Sequence, residues 1–541
     1  ALRLPENTTK RDVYGMNVGW KLFKGKNAPE GVNSPDFNDS SWESVNLPNG
    51  IELLPEEASG CSNYQGPVWY RKTFTAPEKL KGRRNTLYFE GIMGKSEVWV
   101  NGEKAAEHFG GYLPVIVNLD KWLKPGQKNV IVVKADNSND GSYPPGKPQE
   151  SLDFAYFGGI YRDVYLISTG PVYITDPNEA GTVAGGGVFF RTESLDPRTR
   201  KGRVGVKVQV ANDTDKEQKV RVQALMTDPK GVDPVGETAP LVIPPHSTGE
   251  VDIPLVISNV KPWSPDDPNL YTLVLTLKRD GKTEEMVSSR VGFRNVVIKD
   301  SVFLVNGQPV KVKGVNRHES HPETGHYVTP EQMEEEVQMM KRANINHVRC
   351  SHYPADPYFY YLCDKYGIYV QDEANIESHG YYYGKESLSH PIEWMPAHVD
   401  RIMAMVERNK NHPSVIMWSL GNEAGPGQNF RSAEKIVKAR DMSRPTHYER
   451  NNDIVDLGSN QYPSVDWTRS MAANKNFPKP YYISEYAHNM MNAMGNLADY
   501  WEAIESSDRI MGGAIWDWVD QGLYKTLPNG EKMLAYGGGF N

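Results

Sequence analysis

The chain has 541 residues, a formal charge of −8, 38% apolar residues and three cysteines. That length exceeds what one core supports, so about two to four domains are expected. The charge leaves no basic footprint for nucleic acid, and the absence of any run of about 18 apolar residues argues against a membrane span.

In chain order, residues 1–170 carry alternating and short apolar runs such as Asn85-Thr-Leu-Tyr-Phe-Glu90, Ser96-Glu-Val-Trp-Val100 and Asn129-Val-Ile-Val-Val-Lys134. Punctuated by Gly, Pro, Asn and Asp, this texture predicts a jelly-roll-like β-sandwich. Residues 171–297 repeat the alternation in Arg203-Val-Gly-Val-Lys-Val-Gln-Val210, Lys219-Val-Arg-Val-Gln-Ala-Leu225 and Leu270-Tyr-Thr-Leu-Val-Leu-Thr-Leu277, which predicts a smaller, immunoglobulin-like sandwich.

From 298 to 541 strands alternate with helices. Thr329-Pro-Glu-Gln332 opens a helix with a capping residue, a proline at the first helical position and an acidic first turn. Candidate strands end near His318, His352, Glu373, Glu423, Glu449, Tyr462, Glu485 and Trp516, and eight such strands with helical crossovers make a (β/α)8 TIM barrel. The fifth and sixth are separated by only about a dozen residues, the lower limit for a parallel crossover.

Polar residues collect where those strands end, the face on which this fold builds its active sites. His318 and Glu319 close strand one, Arg349 and His352 strand two, and Asp372 and Glu373 strand three, with Glu377 and His379 just beyond. Asn422 and Glu423 close strand four, Tyr462 strand six, Glu485 and His488 strand seven, and Trp516 and Trp518 strand eight. Paired carboxylates at one end of a parallel sheet suit cleavage of a glycosidic bond, one donating a proton and the other attacking the anomeric carbon. Retention by such a pair requires a separation of about 5 Å. Cys61, Cys350 and Cys363 form neither a disulfide framework nor a metal cluster and read as buried thiols.

The strings Gly314-Val-Asn-Arg-His-Glu319, Val348-Arg-Cys-Ser-His-Tyr-Pro354, Asp372-Glu-Ala-Asn-Ile-Glu-Ser-His-Gly380, Trp418-Ser-Leu-Gly-Asn-Glu423, Glu485-Tyr-Ala-His488 and Ile515-Trp-Asp-Trp-Val-Asp-Gln521 together resemble glycoside hydrolase family 2, in its β-galactosidase branch. Gly66-Pro-Val-Trp-Tyr-Arg-Lys-Thr-Phe74, Val98-Trp-Val-Asn-Gly102 and Phe157-Gly-Gly-Ile-Tyr-Arg-Asp-Val164 extend the resemblance to the first domain, as that family's sugar-binding-like sandwich. It implies a retaining hydrolase that removes terminal β-D-galactosyl residues, with Glu423 as general acid/base and Glu485 as nucleophile. In that frame Arg349 lies beside Glu485 and keeps it ionised, and Asn422 hydrogen-bonds the sugar 2-hydroxyl. His318, His352, His488 and Trp516 contact the galactosyl ring, and Tyr462 hydrogen-bonds the nucleophile. Asp153 joins the pocket from the first domain, near a sodium ion.

The resemblance further implies Mg2+ held by Glu377, His379 and Glu423, an oxygen-rich set for which manganese competes because of the histidine. Tyr536-Gly-Gly-Gly539 departs from the family pattern, with Gly539 where an aspartate is usual. About two dozen residues follow Trp518, too few for a long loop and the closing helix of the eighth unit, so a barrel lacking that helix is expected, with the chain a fragment or processed form. Related glucuronidases read a carboxylate with a downstream Asn-x-Lys near the nucleophile; Asn474-Lys475-Asn476 precedes Glu485 and does not fit that arrangement. The alternatives are therefore a β-glucuronidase or other family 2 exo-glycosidase, or a catalytically impaired carbohydrate-binding fragment. The expected partner is a β-galactoside oligosaccharide, and a homo-oligomer is compatible with this reading. The polar start after Ala1 suits an exported, periplasmic or secreted enzyme, with a cytoplasmic one as the alternative.

Overall fold

The computed structural model describes residues 11–51, 64–144, 154, 157–180, 185–378, 384–490 and 494–535. The alternating runs of the first domain build two antiparallel sheets. Four strands, in the order Arg11–Gly15, Val164–Thr169, Arg84–Phe89 and Val115–Asn118, form one of them. A six-stranded sheet centred on Pro67–Thr75, Lys128–Asp136 and Lys95–Val100 packs against it. In the last of these strands Ser96, Val98 and Val100 turn inward while Glu97 and Trp99 do not, as a period of two requires. Leu87, Phe89 and Val115 from one sheet meet Val68, Tyr70 and Val133 from the other in a shared core.

The second sandwich pairs two four-stranded sheets around the central strand Gly202–Asn212, whose Val204, Val206, Val208 and Val210 are all buried. A small three-stranded sheet from Val296 to Pro309 follows. Its Phe303 and Val305 pack with Tyr369, Ile416, Met417, Tyr482 and Met511 and close the floor of the third domain.

That domain is an eight-stranded parallel barrel. In chain order its strands are Val312–Arg317, His347–Cys350, Tyr369–Glu373, Val415–Ser419, Thr446–His447, Gly458–Gln461, Tyr481–Tyr486 and Ile510–Ile515. Strands two, three, four and seven are buried along their whole length, because crossover helices cover the outer face. The helix Pro330–Arg342 starts on the expected capping box: Thr329 accepts from the Gln332 amide, and the Gln332 side chain accepts from the Thr329 amide. The helix Pro357–Tyr366 stops at Gly367 in the left-handed region, where a Cβ would come 2.4 Å from the Pro265 carbonyl oxygen.

All eight expected barrel strands are present, and among the described residues no closing helix follows strand eight. Strand eight pairs with both strand one and strand seven, and the unsealed seam lies between strands five and six. Only a single 3-10 turn, Asn452–Ile454, joins those two strands among the described residues. So short a connection brings the chain back without a helix to carry it along a ladder. The seam is spanned instead by single bonds, from Leu457 N to Thr446 O at 3.2 Å and between His447 Nε2 and Ser459 Oγ at 2.9 Å. After strand eight the chain forms a hairpin, Leu523–Thr526 with Lys532–Ala535.

Candidate active site

Arg349, at the end of strand two, is wholly buried, and all five of its N–H donors are used. Nε and Nη2 donate to Glu373 Oε1 at 3.1 and 2.7 Å, Nη1 to Asn316 Oδ1 at 3.0 Å and Glu485 Oε1 at 2.9 Å, and Nη2 also to Asn422 Oδ1 at 2.9 Å. Burial opposes its charge, but Glu373 and Glu485 outweigh that and hold it firmly protonated. The same guanidinium, with His352 and Ser419, keeps Glu373 below the usual carboxylate range against the cost of burial.

Around this hub the strand ends converge. His352 Nδ1 donates to Glu373 Oε2 at 2.7 Å, and its Nε2 lies 3.9 Å from Glu485 Oε1. Burial works against an imidazolium here, yet Glu377 and then Glu373 push the His352 pKa up to about 9. His318 goes the other way: burial, then His352 and other cations, keep it neutral. Its Nδ1 meets Tyr353 OH at 3.1 Å, while Nε2 is buried without a partner among the described residues. Trp516 lies flat on His352, centroids 5.3 Å apart and planes 10° apart, and edge-on to His318 at 5.4 Å.

Asn422 and Glu423 lie past the end of strand four, which stops at Ser419, rather than closing it. At Gly421 a Cβ would sit 2.9 Å from the Ile376 carbonyl oxygen, so the chain presses against its neighbour as it leaves the ladder. Glu423 adopts φ 44°, in the left-handed region, and its amide donates to Glu449 Oε1 at 3.0 Å. Arg450 Nη2 is 3.8 Å from Glu423 Oε1. Tyr462 follows strand six at φ 48°, donates its amide to the Glu485 carbonyl at 2.7 Å and hydrogen-bonds the Glu485 side chain. Burial and then Glu485 raise its phenol pKa. The His488 ring stands 5.9 Å from that of Tyr462.

The first sandwich reaches this site. Phe154 lies 4.7 Å from the His318 ring and 5.8 Å from His352. Behind it Arg162 forms a buried pair with Glu319 at 2.9 Å, and Tyr112 stacks on Tyr353 at 3.9 Å. Asp153 and His379 lie outside the described residues, as do Cys61 and Gly539. Cys350 and Cys363 are buried free thiols. Glu377 is buried; among the described residues no three His, Cys, Asp or Glu side chains gather as a metal site would need.

Sequence reading did not single out Gln461, whose Nε2 donates to both Asn422 Oδ1 at 3.0 Å and Glu485 Oε1 at 3.1 Å. Nor did it assign a role to Glu373, which links Arg349 to His352, or to Glu449, whose pKa burial lifts to about 7. Glu373 and Glu449 carried the signal of a carboxylate at a barrel strand end; Gln461 and Phe154 carried none beyond adjacency to Tyr462 and Asp153. The triplet Asn474-Lys475-Asn476 lies between the helix Val465–Ala473 and the start of strand seven. That is the barrel end opposite Glu485.

Two sandwiches ahead of a parallel barrel, with Glu423 just past strand four and Glu485 near the end of strand seven, define a glycoside-hydrolase architecture. The model for the family 2 glycosyl hydrolase TIM barrel domain matches residues 296–541, that for family 2 itself matches 186–294, and that for the family's sugar binding domain matches 31–170. The chain belongs to glycoside hydrolase family 2. It is 35% identical to a β-galactosidase of Vibrio cholerae over 99% of this chain and 54% of that protein. A β-galactosidase of Priestia megaterium is 33% identical, with the same coverage of 99% and 54%. The chain thus spans about half the length of the curated relatives it matches. Among solved structures, a β-glucuronidase of Bacteroides uniformis superposes with a TM-score of 0.79 at 21% identity, covering 94% of this chain and 65% of that one. A family 2 member from Bacteroides cellulosilyticus gives 0.77 at 25% identity, covering 93% and 66%. These superpositions share the fold.

Proposed function

We propose that the chain carries the catalytic centre of a retaining β-galactosidase. The observation that carries this reading is the Glu485 carboxylate held 2.9 Å from Arg349 in a strand-end cluster that also takes in Asn422, the neighbour of Glu423. The guanidinium holds one carboxylate oxygen of Glu485 and so sets the orientation of the attacking group. Glu485 forms a bond to the anomeric carbon as the bond to the leaving oxygen breaks, and Glu423 gives that oxygen its proton. In the second step Glu423 takes a proton from water, whose oxygen attacks the anomeric carbon and frees Glu485. Asn422 steadies the sugar 2-hydroxyl as charge develops at the ring. His318, His352, His488, Trp516 and Asp153 bind the galactosyl unit, and Tyr462 orients the nucleophile.

The proposal includes Mg2+ on Glu377, His379 and Glu423 and a sodium ion near Asp153, and no step above runs through either. The preference for galactose over glucuronate is supported by the relatives' names and by the position of Lys475, at the opposite end of the barrel from Glu485. A panel of nitrophenyl glycosides tests it. Release from the β-galactoside that is lost in Glu485→Gln is expected. Release from the glucuronide alone transfers the reading to that sugar, and binding without release makes the chain a carbohydrate-binding module.

A further inference from the structure

We infer that Gln461 is a positioning residue that aligns the attacking carboxylate and the group reading the sugar 2-hydroxyl at the same time. The inference rests on the retaining-glycosidase reading above and assigns a role to a side chain that this reading does not use.

Glu485 Oε1 accepts from Arg349 Nη1 at 2.9 Å and from Gln461 Nε2 at 3.1 Å. Two N–H donors fill the lone-pair directions of that oxygen and fix the rotation of the carboxylate. Asn422 Oδ1 likewise accepts from Arg349 Nη2 at 2.9 Å and Gln461 Nε2 at 3.0 Å. With its carbonyl end filled by two donors, the Asn422 amide is turned so that its own NH2 is the end left to donate to a sugar oxygen.

Gln461 has its own orientation fixed in the same way, because its Oε1 accepts from Arg450 Nη2 at 3.2 Å. The two hydrogens of its Nε2 therefore point at two functional groups at once. Arg349 binds the same two oxygens from within the barrel, while Gln461 approaches from strand six, which forms one edge of the unsealed seam. Gln461 is only partly buried and belongs to none of the apolar clusters, so its removal leaves the core in place.

The test compares wild type with Gln461→Met, which keeps the side-chain length and removes both donors; Gln461→Ala serves if the methionine variant folds poorly. Each is assayed on the aryl β-glycoside that the wild type turns over fastest and on the 2-deoxy form of that substrate. On the parent glycoside kcat/KM falls about 10- to 100-fold, the scale set by hydrogen bonds to a charged group. The loss on the 2-deoxy substrate is at least about fivefold smaller, since there Asn422 has no 2-hydroxyl to read. A merely structural role would lower both equally. Activity within twofold of wild type, or equal losses on the two substrates, overturns the inference while leaving the glycosidase reading intact. A wild-type chain that cleaves no panel member takes down that reading and this inference together.

Discussion

Replacing Arg349 with lysine keeps the charge and removes the geometry. Five donor contacts run from this guanidinium to Glu373, Glu485, Asn316 and Asn422, at 2.7 to 3.1 Å. An ammonium has three donors at a single point, so at least two contacts are lost. Hydrogen bonds to charged groups contribute about 1.5–3 kcal/mol each, which puts the cost near 3 kcal/mol or more. For a domain of this size that lowers the unfolding midpoint by about 6–12 °C. The same loss at the nucleophile lowers kcat by about 100-fold, since each 1.36 kcal/mol is tenfold. Scanning calorimetry and aryl-glycoside kinetics on Arg349→Lys check both numbers. An unchanged midpoint with kcat within threefold of wild type would refute the claim that the fork, rather than the charge alone, organises the site.

Arg162→Met leaves the buried Glu319 carboxylate, among the described residues, with Arg317 at 3.7 Å as its cationic partner, and costs about 3–5 kcal/mol in denaturant unfolding; a cost below about 1 kcal/mol contradicts the role given to this contact between domains. Burial holds His108 near a pKa of about 4, and His347 and His447 near about 3. These folded values are depressed, so the associated stability is complete above about pH 6.5 and is lost as pH falls toward them, by about 2 kcal/mol per group at pH 5. Asp356 and Asp372, each raised to about 6 by burial, work in the opposite direction. The diagnostic is therefore the difference between wild type and His447→Gln, whose midpoint falls less between pH 7.5 and pH 5; parallel curves would remove His447 from the account. Dialysis against a chelator lowers the rate and added Mg2+ restores it, whereas a rate and midpoint that do not move take the metal out of the proposal.

What sequence reasoning reaches here follows the range of the interaction. The Thr329 capping box spans three residues and is visible as a string, and it forms as read. Barrel strands announce themselves by short apolar runs, and the polar residues after them mark the functional face. The contacts that organise the site are not local: Arg349 meets Glu485 across 136 residues, and Gln461 meets Asn422 across 39. No periodicity encodes such pairings, so an unremarkable glutamine passes unnoticed beside a conspicuous tyrosine. The seam was legible in part, because the short link between strands five and six hints at it. Its exact consequence, single bonds in place of a ladder, depends on where His447 and Ser459 come to rest. Phe154 shows the same limit from another domain, since only packing of the sandwich on the barrel brings it against His318.

The most direct test of the central claim is mass spectrometry of peptides after incubation with a 2-deoxy-2-fluoro-β-galactosyl fluoride. The fluorine slows hydrolysis of the covalent intermediate, so the sugar stays on the residue that attacked. The account predicts one galactosyl adduct, on Glu485, absent from Glu485→Gln. An adduct on another carboxylate, or steady turnover of a β-galactoside with no adduct and an α-configured first product, would contradict it.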